Sequence, residues 1–316
     1  MKTPKFHLSA FELKWIAMLA MTLDHVAWLW LDVQTLLSEW LHFIGRLVAP
    51  LMVYFLVVGF RHTANFGAYA FRLLAFAVIS QLPYALYGAS VSAVQGGYPR
   101  DDWSVVSALI WQDVLSGQGN VLFTLFFALC ALYVRHDALA WWLRALGVGI
   151  LAWAAQFADY GAALVAQALV FDYFYGKTQA NKRKMLAAFV LGAPIFYVLT
   201  YGFVRTAGVG FMHFGVLLVV PLIYAFDGQK HRRHAQISPK SRQNFPANQT
   251  SQENRQNFPA NQTLQANPTS PASHQFRPAK RFTMGASLHQ ILHHRYVFYI
   301  FYPAHLLVLA FLGFWL

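Results

Sequence analysis

From Leu13 to Trp30 the chain reads LKWIAMLAMTLDHVAWLW, an apolar run broken near its middle by one acid and one histidine, Asp24 and His25. Continued to Val33, the run is long enough to cross a bilayer, since about 20 residues rising 1.5 Å each cover a hydrocarbon core of roughly 30 Å. Lys2, Lys5 and Lys14 stand at its start, as they would in a secretion signal. Asp24 and His25 interrupt its apolar part, however, and no small-residue cleavage site follows, so the run reads as a retained first helix.

Working outward, further apolar runs fall at 41–60, 68–88, 119–135, 138–157, 161–176, 185–204, 210–226 and 296–316. The expected fold class is therefore all-α, a polytopic membrane bundle of about nine transmembrane helices. Composition agrees. Of 316 residues 57% are apolar and 11% charged, with a mean hydropathy of +0.40, whereas a soluble domain is nearer 25% charged. The single cysteine, Cys130, excludes an internal disulfide framework and any cysteine-based zinc or iron–sulfur site.

Charge sets the orientation. With the N-terminus inside, all of the 24 Lys and Arg except Arg46, Arg100 and Arg205 fall on the cytoplasmic side, while Asp32, Glu39, Asp101, Asp102, Asp113 and Asp159 fall outside. Positive residues mark cytoplasmic loops, so an N-in, C-out arrangement follows. The net charge of +12 is then a topology signal, and with no recognition motif beside it no nucleic-acid partner is expected.

Residues 1–227 carry the first eight spans and 295–316 the ninth, completing the same single domain. Between them, 228–294 is rich in Asn, Gln, Ser and Pro, and RQNFPANQT at 242–250 recurs letter for letter at 255–263. Such a tract reads as a disordered cytoplasmic loop that tolerates insertion. On the other side, residues 105–114, flanked by Trp103 and including Trp111, read as an interfacial or re-entrant helix.

Charged groups inside a span cost several kcal/mol, about 2.5–3.5 each on an insertion scale, so Asp24 and Arg46 require a reason. Counting from Leu13, Asp24 lies about 16 Å and His25 about 18 Å above the cytoplasmic boundary. Arg46 enters from the other face with a side chain long enough to reach Asp24. The pair either fixes helix packing or belongs to a functional cavity; the second reading is adopted because ionisable groups at mid-bilayer usually face a water-filled site. His305 in the last span counts to about 14 Å, close to the level of His25. An imidazole there can take and return a proton near neutral pH. No metal-binding spacing accompanies these residues, and no metal is expected. Asn120, Thr124, Asp159 and His213 at helix ends read equally as caps or as vestibule walls. Arg61, His62, Thr63, Asn65 and Arg72 gather at one cytoplasmic turn; such a group can hold phosphates, although positive-inside bias alone explains its arginines.

These segments, taken together, have a recognisable order: LKWIAMLAMTLDH at 13–25, IGRLVAPLMVYFLVVGFRHT at 44–63, RLLAFAVISQLPYAL at 72–86, NVLFTL at 120–125, DYG at 159–161 and FYIFYPAHL at 298–306. In that order they resemble the TraX family of membrane proteins. The resemblance implies an acyltransferase of the bacterial inner membrane that moves an acetyl group from acetyl-CoA to the N-terminal amine of pilin or a related envelope acceptor. Combined with the depths counted above, that activity makes His25 the expected general base or transient acetyl carrier, with Asp24 and Arg46 organising the site and His305 assisting. Arg61, His62 and Arg72 would hold the CoA phosphates. The partners implied are the lipid bilayer, the acceptor and acetyl-CoA. Two other classes compete: a proton-coupled transporter using the same Asp, His and Arg, which no inverted repeat supports, and a non-catalytic assembly factor for pili or fimbriae.

The topology is directly testable. A reporter fused after Leu316 is expected to be active on the external side of the membrane; activity in the cytoplasm would mean an even number of spans.

Overall fold

The computed structural model describes residues 8–100, 102–115, 117–176, 178–201, 211–226 and 297–316. The polar loop with its repeated nonapeptide lies outside the described residues, as do Lys2, Lys5, Asp101, Lys177 and Arg205. Among the described residues the regular elements are all helices: α1 (Ala10–Trp30), α2 (Leu36–Gly45), α3 (Val48–His62), α4 (Phe66–Gly96), α5 (Trp103–Leu115), α6 (Val121–His136), α7 (Trp141–Ala155), α8 (Ala162–Tyr173), α9 (Gln179–Tyr201), a 3₁₀ segment (Phe211–Leu218) running into α10 (Val219–Ala225), and α11 (Val297–Trp315).

Local chemistry sets the ends. Ser9 and Glu12 form a reciprocal capping box at the start of α1, satisfying two donors that a helix start leaves unpaired. Thr35, Asn65 and Asn120 cap α2, α4 and α6 through their side-chain oxygens. Gly97 closes α4 with φ at 65°, a left-handed position that suits glycine. The run expected as one span at 41–60 lies within one helical stretch, Leu36–His62, interrupted at Arg46 and Leu47 because Pro50 cannot donate to the Arg46 carbonyl and its ring crowds that group. The chain turns at Arg46 and Leu47, and the first of the two helices reaches back to Leu36.

Among the described residues three helical stretches are long and apolar enough to cross a membrane: Leu36–His62, Phe66–Gly96 and Val297–Trp315. The helices 121–136, 141–155, 162–173 and 211–225 are apolar but shorter. Helix α5 forms where an interfacial helix is expected, with Trp103 and Trp111 both exposed.

The packing is that of a bundle with its polar groups turned inward. Leu19, Phe71, Val78, Ile79, Leu82, Trp141 and Leu191 point outward, while Ser38, His42, Arg46, Asn120, Thr124 and Asp172 are buried. Water would penalise that outward face, whereas lipid does not. Because lipid also removes the hydrophobic drive between helices, close approach of small residues must hold them together. Ala17, Ala20 and Ala27 on α1, Ala128 and Ala131 on α6, and Ala163 and Ala168 on α8 supply it. Helix α11 runs along α4 and also touches α1, with Phe76 stacked on Tyr299 at 5.0 Å. At the far end Gly313 sits so close that an added Cβ would come within 2.8 Å of Leu29 and 3.0 Å of Ser90.

That contact gives a test of the packing. Gly313→Val is expected to lower stability by about 1–3 kcal/mol through overpacking. Gly149→Ala on α7, where nothing lies within 4 Å of a new Cβ, should leave it unchanged or slightly raised. Thermal unfolding in detergent measures both.

Candidate functional site

A cavity of about 550 Å³ lies between α1, α2, α3, α4, α6 and α11, and Asp24, His25 and Arg46 all line it. The structure therefore brings together the three polar residues singled out in the first two apolar runs. The partner that Asp24 makes is His42, whose Nδ1 lies 2.9 Å from Asp24 Oδ1. The longer α2 explains this: its extra turn places His42 four residues before Arg46, on the same helix face. His42 is fully buried and packs on Trp28 at 4.5 Å. Gly45 makes the approach possible, since a Cβ there would fall 2.6 Å from Asp24 Cγ. Arg46 extends to the opposite wall, with a guanidinium nitrogen 3.5 Å from the Tyr160 hydroxyl. The contact seen for Asp24 is with His42, and Arg46, expected to pair with Asp24, lines the same cavity.

His25 and His305 meet edge to face with ring centres 5.0 Å apart, so counting residues along two helices correctly puts them at one level. Nδ1 of His25 lies 2.7 Å from the Met21 carbonyl. A carbonyl only accepts, so Nδ1 carries the proton and Nε2 holds the free lone pair. His305 repeats the pattern with Nδ1 2.9 Å from the Phe301 carbonyl, and its buried Nε2 has no hydrogen-bond partner. Tyr87 adds a second edge contact to His25 and donates its hydroxyl to the His25 carbonyl at 2.8 Å. His25 lines the cavity and His305 stands behind it.

The facing wall is the DYG turn between α7 and α8. Tyr160 and Gly161 both have positive φ, 63° and 51°, a conformation costly for tyrosine and easy for glycine. Two backbone bonds to Gly119 hold the turn, at 2.7 and 2.9 Å, and the Thr124 hydroxyl donates to the Asp159 carbonyl at 2.5 Å. Tyr84 donates to the Asp159 carboxylate at 3.0 Å. Desolvation pushes this carboxyl up to about 6, opposed by the Tyr84 hydrogen bond and by Arg46. Of the helix-end residues that read equally as cap or vestibule, Asn120 is a cap and Asp159 a cavity wall. His213 lines a separate apolar chamber.

At the opposite pole the three residues expected to hold phosphates divide. Arg61 is engaged by the buried Asp172, with Nε 2.6 Å from Oδ1 and a second bond to the Asp172 carbonyl at 3.0 Å. Arg135 and His136 converge on the other carboxylate oxygen at 3.0 and 2.7 Å. One acid with three cationic or dipolar partners ties α3, α6 and α8 together. His62 and Arg72 instead line a cavity of about 340 Å³ with Lys14, Thr63 and Tyr69. The two cavities share four wall residues: Met52, Leu122, Leu125 and Phe298. Among the described residues no three His, Cys, Asp or Glu side chains converge as a metal site.

Sequence reading misses His42 and Asp172. The spacing of His42 and Arg46 was a usable signal for the first, and an acid inside an apolar run for the second. If the Asp172 cluster is structural, Asp172→Ala should destabilise the protein by about 2 kcal/mol, and more than Arg61→Ala, which leaves Arg135 and His136 in place. Unfolding midpoints of the two variants in detergent decide the order.

Comparison with known proteins agrees with this picture of a membrane protein. The chain is 37% identical over 180 residues to the probable fimbrial assembly protein FimC, serogroup H1, of Dichelobacter nodosus, an alignment that covers 57% of this chain and 68% of the relative. No solved structure matches it. The family model described as TraX protein matches residues 9–237, a stretch that contains Asp24, His25, His42, Arg46 and the DYG turn, and the chain belongs to the TraX family.

Proposed function

We propose that this protein is a membrane acyltransferase that moves an acetyl group from acetyl-CoA to the N-terminal amine of pilin or a related envelope acceptor. It would cross the bacterial inner membrane about nine times with its N-terminus inside and its C-terminus outside. The observation that carries this reading is the pair of cavities that share Met52, Leu122, Leu125 and Phe298, one bounded by Lys14, His62 and Arg72 and the other by Asp24, His25, Arg46 and Asp159. If the shared wall parts when a long thioester binds, its phosphates would lie in the basic cavity and its acyl end in the cavity of the imidazole.

In the reaction the acceptor amine attacks the thioester carbonyl, a C–N bond forms, and the C–S bond breaks. His25, whose ring lines the cavity, would take at Nε2 the proton that the amine loses, and the departing thiolate receives a proton as CoA leaves. Asp24, held by His42, would offset the charge of the imidazolium, and Arg46, in the same cavity wall, would stabilise the carbonyl oxygen as negative charge develops on it. His305 buttresses His25 from behind. If His25 is instead the acetyl carrier, the same Nε2 attacks first and the amine displaces it.

The name of the relative favours a second reading, a non-catalytic factor in fimbrial assembly. Replacing His25 by Gln separates the two. As a base His25 contributes about 10²–10⁴-fold, so its loss leaves a trace of activity, whereas loss of an obligatory carrier leaves almost none. Transfer of labelled acetyl from acetyl-CoA to amine acceptors by the purified protein provides the measure. Full transfer by His25→Gln defeats the catalytic assignment. No transfer by the intact protein, together with normal fimbriae from His25→Gln cells, establishes the assembly factor.

A further inference from the structure

A third chamber, of about 440 Å³, adjoins the polar cavity, between α3, α8, α9 and the 3₁₀ segment. The two share Arg46, Ala49 and Tyr160 as wall residues. Its other walls are almost wholly apolar, Leu164, Phe189 and Pro194 among them, and its size falls within the usual 300–1,000 Å³ of a small-ligand site. Besides Arg46, Tyr160, Tyr197 and His213, the wall holds a buried amide, Gln167. Gln167 is 6% exposed, and its Oε1 has no hydrogen-bond partner. A buried carbonyl oxygen left unsatisfied carries a desolvation penalty that a bound donor would remove.

We infer that this chamber binds the apolar N-terminal residues of a peptide acceptor, with a backbone N–H of that peptide donating to Gln167 Oε1. The inference rests on the acyl-transfer reading and specifies its acceptor. A hydrocarbon tail would fill the apolar walls but offers Gln167 nothing, whereas every peptide unit other than proline carries a donor. With Arg46 and Tyr160 common to both walls, the reactive amine would lie in the cavity of His25 and the side chains that follow it in the chamber. Selection among acceptors is then a matter of how apolar those first side chains are.

The test uses the full-length protein in nanodiscs and two labelled peptides of equal length with free N-termini, one apolar and one polar over its first residues. Binding is read by fluorescence anisotropy without acetyl-CoA. The apolar peptide is expected to bind at least about tenfold more tightly, since each buried methylene contributes about 0.8 kcal/mol. Methylating its backbone nitrogens one at a time should weaken binding about three- to tenfold at one position in the native protein, and at no position in Gln167→Leu. Ala193→Trp, which fills the chamber, should abolish the preference; the methylation series on the native protein does not depend on how that variant folds. Equal binding of the two peptides overturns the inference. So does full competition by a fatty acid with no methylation-sensitive position, which would make the occupant a lipid chain. Selective peptide binding without any acetyl transfer would instead defeat the acyl-transfer reading and leave the chamber's assignment standing.

Discussion

A carboxylate enclosed by helices whose outer surfaces are apolar has little access to water, and it must find its donors on other helices. Two acids impose that condition on this protein. Asp24 is met by His42 across the α1 and α2 contact, and Gly45 leaves the space that the pairing needs. Asp172 is met by Arg61, Arg135 and His136 from two further helices. Each acid fixes the mutual position of the helices that serve it. The apolar side chains around them are less specific, because in lipid they gain little by facing one another.

The two acids nevertheless leave different amounts of chemistry unused. Every oxygen of Asp172 is engaged, its partners lie at the bundle's basic pole, and the cluster borders neither of the two cavities that share walls. It reads as a clasp. Asp24 sits in a cavity wall beside an imidazole whose Nε2 lone pair is available, facing Arg46 and an aspartate presented by a turn with two positive φ angles. Backbone strain of that kind, held by the bonds to Gly119 and Thr124, is maintained where a side chain has to be aimed.

Much of this was legible in the sequence because helix rise is constant. The depths of Asp24, His25 and His305 follow from counting, and the structure brings the two histidine rings together. Helices occupy the apolar runs, and Trp103 and Trp111 mark the surface helix. What escaped depends on where helices begin and on contacts between distant segments. A run taken to start at residue 41 left His42 at a boundary, whereas α2 starts at Leu36 and turns His42 inward with Arg46. Arg61 looked like a phosphate ligand because its partner is 111 residues away in sequence, and no local pattern announces that bond. The interruption of the second span at Arg46 and Leu47 was available from the chemistry of Pro50 alone.

The proposed acyl transfer requires a route between the basic cavity of Lys14, His62 and Arg72 and the cavity of His25. Sealed vesicles containing the purified protein in one orientation test it most directly. Radiolabelled acetyl-CoA is supplied only on the side of Lys14, His62 and Arg72, and an amine-bearing peptide only on the other. Transfer through the bundle predicts labelled peptide on the far side with the donor never crossing. Label that appears only when donor and acceptor share one side, or that never reaches the peptide in any arrangement, would contradict it.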